Sequence, residues 1–111
     1  MSDGAKQTGE RLMNYNENMT AFRRLVILRL LDNAPAYTLH EVTLKQALAE
    51  RGQAVGTDAL RGDLQWLHEQ GLAFVEHPDG VWFAQLTAKG ADVKNGLTEV
   101  PGVARPEPGA L

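Results

Sequence analysis

Apolar positions crowd most densely between Phe22 and Leu31, where Phe22, Leu25, Val26, Ile27, Leu28, Leu30 and Leu31 leave little of a helical wheel polar except the directions of Arg23, Arg24 and Asp32. A helix with that pattern is buried on more than one side. It stops at Asn33-Ala34-Pro35, because the residue ahead of a proline avoids the α region. In LHEVTLKQALAERG, Leu44, Ala47 and Leu48 recur at helical spacing and predict a second helix, closed by Gly52 in a left-handed cap. Gln53-Ala54-Val55 forms a short link with Val55 pointing inward, and TDALRGDLQWLHEQGL then places Leu60, Leu64, Leu67 and Gly71 on one face of a third helix. Two packed helices joined by so short a link make a helix-turn-helix pattern.

The periodicity then changes. AFVEH and VWFAQL are β-prone runs on either side of Pro78-Asp79-Gly80, where proline presets the first turn position and glycine accepts a positive φ, so they predict a hairpin. Thr87 reads as the N-cap of a last helix, TAKGADVKNGL, weakened by Gly90 and ended near Gly96. The predicted fold is mainly α with a small β-hairpin: a winged helix-turn-helix in the order α-α-α-β-β-α. Three segments follow: a flexible polar start over 1–14, the domain over 15–97, and a proline-rich tail over 98–111. The tail is expected to be extended, since Pro101, Pro106 and Pro108 each fix a φ and remove a donor, and any docking would use Val100, Val103 and Leu111.

Composition narrows the chemistry. With 111 residues the chain has room for one modest core, and with no cysteine it can form neither disulfides nor thiolate metal sites. The apolar run Leu25–Leu28 is broken by Arg29, and the start MSDGAKQTGER lacks the apolar core of a signal peptide, so a cytoplasmic protein with no membrane partner is expected. A formal net charge of -3 offers no bulk attraction to nucleic acid, so any duplex contact must come from a local patch.

The run AVGTDALRGDLQWLHEQGLAFV, with its Asp63-Leu64 pair, Leu67 and Gly71-Leu72, is similar to the recognition-helix pattern of bacterial winged-helix regulators. Over about residues 20–106, FRRLVILRLLDNAP, DLQWLHEQGL, GVWFAQLT with the glycine after it, and VPGVARP together resemble small winged-helix proteins of Mu-like phages and prophages, described as transcriptional-regulator-like. The resemblance implies a DNA-binding regulator whose third helix enters the groove. The chain departs from the regulator pattern in having Gly56 instead of serine at the N-cap and Asp79 instead of a cation at the wing tip.

In that role Thr57, Arg61 and Gln65 are the candidate base contacts, Arg61 suited to guanine and Gln65 to adenine. Arg23, Arg24 and Lys45 are the candidate phosphate contacts around the start of the third helix. Against it stand Asp58 on the groove-facing side and the scatter of the cations, whose bland reading is solvated charge over apolar stems. Trp82 is expected to pack in the hairpin, and Trp66 to pack against that hairpin or to anchor a partner. His40, His68 and His77 show no metal spacing and read as surface residues, and no arrangement suggests catalysis, so neither metal, cofactor nor small-molecule substrate is expected. Two functions remain: double-stranded DNA binding, or a structural or assembly adaptor that binds a phage protein through the same fold. In either case the many-sided first helix, extended by Leu12, Met13, Tyr15 and Met19, predicts a homodimer through the N-terminal helix.

Overall fold

A computed structural model describes residues 2–107, with side chains described from residue 15 onward. Its elements in chain order are α1 (Ser2–Asp32), β1 (Thr38–His40), α2 (Glu41–Glu50), α3 (Thr57–Glu69), β2 (Ala73–Glu76), β3 (Phe83–Leu86) and α4 (Ala88–Lys94). The predicted helices and hairpin are all present, and α1 begins at Ser2, inside the start that its polar composition marked as flexible. The third strand, β1, is the addition: it is too short to show alternation, and it exists because β3 offers it a free edge.

The sheet is antiparallel in the order β1-β3-β2, with Leu39 opposite Ala84 and Val75 opposite Ala84 from the other side. This register turns Ala73, Val75 and Ala84 inward and leaves Phe74, Glu76, Phe83 and Gln85 facing out. Inside lies one apolar cluster, in which Leu25, Ile27, Leu28 and Leu31 of α1 meet Leu44 and Leu48 of α2, Leu60, Leu64 and Leu67 of α3, and Val93 of α4. The burial of four successive residues, Leu25 to Leu28, accounts for the polarity-poor wheel of this stretch: the body surrounds α1 there.

Local chemistry closes the joints. The His40 imidazole accepts from the backbone N–H of Val42 and caps α2, and the Glu41 N–H donates to the Trp82 carbonyl, which ties α2 to the hairpin. Thr87 accepts from the Gly90 N–H and donates to the Gly71 carbonyl, so the expected N-cap also anchors α4 to the end of α3. At Gly90, α4 lies directly against the backbone that follows α3: a Cβ there would sit 2.0 Å from the Leu72 carbonyl oxygen. The residue that weakens the helix in isolation is what lets it dock.

The tail differs from the extended segment that its prolines suggest. A turn closed by the Val103 N–H on the Val100 carbonyl folds it back, both valines are buried, and the Ala104 N–H donates to the Ala21 carbonyl of α1. Leu111 and Pro108 lie outside the described residues, as do the side chains of Leu12 and Met13. No helix of the described residues is long and apolar enough to cross a membrane.

Candidate functional site

The third helix buries Leu60, Asp63, Leu64 and Leu67 and exposes Asp58, Ala59, Gly62, Gln65 and Glu69. Its outward face therefore carries two carboxylates and two residues with little or no side chain. The cation that was to read a base, Arg61, turns to its neighbours instead. Its Nε and Nη2 donate to Glu41 Oε2 and Oε1 at 2.8 and 2.7 Å, a two-pronged pair in which both guanidinium edges used are fixed by one carboxylate. Nη2 also reaches the Gly80 carbonyl at 3.4 Å, and the guanidinium carbon lies 5.3 Å from the centre of the Trp82 ring. One side chain thus joins α3, α2 and the hairpin turn.

This pair sets the local electrostatics. The hydrogen bonds from Arg61 hold the Glu41 carboxyl below its ordinary value, outweighing the burial that pushes it up, while Glu41 raises the Arg61 guanidinium in return. Base recognition through Arg61 would require breaking that pair and leaving a buried carboxylate, 11% exposed, without its partner.

The expected phosphate contacts follow the same course. Arg23 Nε donates to Asp63 Oδ2 at 2.6 Å and Arg24 Nε to Asp63 Oδ1 at 3.1 Å, around a carboxylate only 4% exposed. The two arginines converge on the buried side of α3 instead of flanking its free end. The Arg24 guanidinium carbon also lies over the Trp66 ring, 4.0 Å from its centre, and Nη1 donates to the Gly102 carbonyl at 3.2 Å. Trp66 accordingly lies against α1 and the tail: a Cβ on Gly102, whose φ is +101, would come within 2.6 Å of it. Lys45 remains at the start of α3, exposed, with Nζ donating to Thr57 Oγ1 at 2.9 Å, and exposed Gln65 reaches Glu69 at 3.4 Å.

Of the six predicted contact residues, Thr57, Arg61 and Lys45 gather at one end of α3, Gln65 lies farther along its exposed face, and Arg23 and Arg24 sit on another side. The two acids that decide this arrangement, Glu41 and Asp63, were not among the candidates. Asp63 could have been found, since it stands at the i+3 position after Leu60 on the helix's apolar stripe, where a charge must be paired. Glu41 gives no such sign, because the groups it meets, Arg61 of α3 and the Trp82 carbonyl, lie far along the chain. The histidines are likewise employed: half-buried His68 accepts from the Val75 N–H on the outer edge of β2, and exposed His77 stacks on Trp82 at 4.6 Å between ring centres. The surface reading holds for His77 alone.

Comparison with known proteins finds 41% identity over 95 residues, covering 86% of this chain and 98% of the other, with a protein described as uncharacterized protein gp26 of Escherichia phage Mu. An uncharacterized protein of Haemophilus influenzae (strain ATCC 51907 / DSM 11121 / KW20 / Rd) is 36% identical over 78 residues, covering 69% of this chain and 76% of that protein. No protein-family model matches, and no solved structure matches.

Proposed function

This chain belongs to the family of the phage Mu protein gp26, and from that premise we propose that it is a non-enzymatic phage assembly or adaptor protein, a winged helix whose third helix and wing meet other proteins instead of a DNA groove. In this reading α2 and α3 are the helix-turn-helix pair and β2 with β3 is the wing. The observation that carries the reading is the internal pairing of the arginines: Arg61 with Glu41, and Arg23 and Arg24 with Asp63. Duplex affinity grows from cations that neutralise phosphates, and the exposed face of α3 offers Asp58 and Glu69 instead. Asp79 at the exposed wing tip adds a third carboxylate where a minor groove attracts cations.

A second reading, the DNA-binding regulator, is favoured by one observation: exposed Lys45 stands at the N-terminus of α3 beside Thr57, where a phosphate would find a cation and free backbone N–H groups together. A salt titration of binding to mixed-sequence duplex DNA separates the two. The adaptor reading expects affinity no tighter than about 10⁻⁴ M at physiological salt, in the weak nonspecific range, with a shallow salt slope. Binding tighter than about 10⁻⁶ M, with a slope that falls by roughly one unit in Lys45→Ala, would establish the regulator instead.

A further inference from the structure

The first helix is 31 residues long, roughly 46 Å at 1.5 Å per residue, and among its described side chains full burial begins at Leu25. Ahead of that point Tyr15, Met19 and Phe22 are 61%, 37% and 41% exposed. They are spaced four and then three residues apart and so form one stripe. The same alternation runs through the sequence in both directions, from Ala5, Thr8 and Leu12 to Val26. A sustained 3-4 spacing is the seam of a two-stranded coiled coil, with Ala5, Leu12, Met19 and Val26 at its a positions and Thr8, Tyr15 and Phe22 at d. Val26 is covered by the body, which sets the seam's inner end.

We infer that the N-terminal part of α1 pairs with the same part of a second copy of this chain. Charge placement argues for a second copy. Every seam position from 5 to 26 is uncharged, and Lys6, Glu10 and Glu17 fall at the outer b and f positions of the heptad. At the flanking e and g positions the charged residues are Arg11 and Arg23, and Arg23 is already held by Asp63. Two identical strands place position 11 opposite an asparagine, position 16 if they run parallel and position 18 if they run antiparallel with Leu12 beside Tyr15, so self-pairing brings no like charges together. The sequence also favours a partner here, because Gly4 and Gly9 weaken this part of the helix by about 1 kcal/mol each and helices gain most of their stability from tertiary packing. The pairing is independent of the choice between protein and DNA partners for α3.

Sedimentation of the full chain over a range of concentrations tests this, alongside Tyr15→Glu and the double variant Met19→Glu/Phe22→Glu. The wild type is expected at twice the chain mass, and both variants at the monomer mass with less helical signal. Near-UV circular dichroism from Trp66 and Trp82 reports whether the body stays folded, and Tyr15→Glu lies well ahead of the buried part of α1, so it keeps the test valid if the double variant fails to fold. A wild type that remains monomeric at the highest concentration overturns self-pairing and leaves the stripe to a different protein. Variants that keep the dimer mass overturn it as well, by placing the interface elsewhere.

Discussion

Gly90 shows how little a residue's intrinsic preference says about its role. Helix propensity alone predicts that Gly90→Ala stabilises α4 by about 1 kcal/mol. The position has no room for that methyl group, which would lie 2.0 Å from the Leu72 carbonyl oxygen and 2.8 Å from Leu86 Cδ1. Overpacking of this kind costs roughly 1–3 kcal/mol, so the variant is expected to unfold at lower urea than the wild type; a higher midpoint would show that α4 shifts at no cost. Glu41 supplies a second expectation at this scale. Its carboxyl is held below the ordinary value near 4.5, chiefly by the hydrogen bonds from Arg61. The folded-state value is the depressed one, so the stabilisation is present above about pH 4.5 and is lost as pH falls through that lower value. Thermal midpoints of the wild type and Glu41→Gln should therefore differ at neutral pH and converge in acid. A gap that persists unchanged to the acid limit would assign the pair no electrostatic role.

Among the elements, the tail was the least legible, because prolines announce missing donors and fixed φ angles but not what the chain folds against. Val100 and Val103 were recognisable as its docking residues, and both are buried. The turn that brings them inward depends on Gly102 and on the six-membered ring of Trp66, which meet from distant parts of the chain. Replacing both valines with serine removes the tail's apolar hold while leaving its backbone free to bond. In a Trp82→Phe background, where Trp66 is the one remaining tryptophan, the expected result is a red-shifted emission and a lower thermal midpoint. An unshifted spectrum would mean that Arg24 alone keeps Trp66 covered. The strand β1 was missed for a similar reason: three residues carry too short a pattern, and only pairing with β3 makes them a strand.

For the whole molecule, a single core has a measurable consequence. Leu64 is fully buried in the cluster that joins all four helices to the sheet, so Leu64→Ala should cost roughly 2–5 kcal/mol. Because no second core exists to unfold separately within the described residues, the near-UV circular dichroism and the fluorescence of Trp66 and Trp82, which report on the body, should move together in one transition. Separate midpoints would instead divide the molecule into independent units. The surface charge belongs to this scale too. The formal net charge of -3 already argued against bulk attraction to a polyanion, and the ion pairs then withdraw the arginines on which a local patch would have depended.

What the sequence determined by itself was whatever depends on spacing along one element. Helical repeats located α2, α3 and the C-terminal half of α1, alternation around Pro78-Asp79-Gly80 located the hairpin, and Thr87 marked the start of α4, because each of these signals is set by neighbours a few residues away. Which charges are free was decided by the tertiary structure alone. Arg61 meets Glu41 across 20 positions, and Arg23 and Arg24 meet Asp63 across 40 and 39. No local periodicity encodes such meetings. A guanidinium takes the nearest buried carboxylate once packing has removed water from that carboxylate, and only the assembled core says which carboxylate that is.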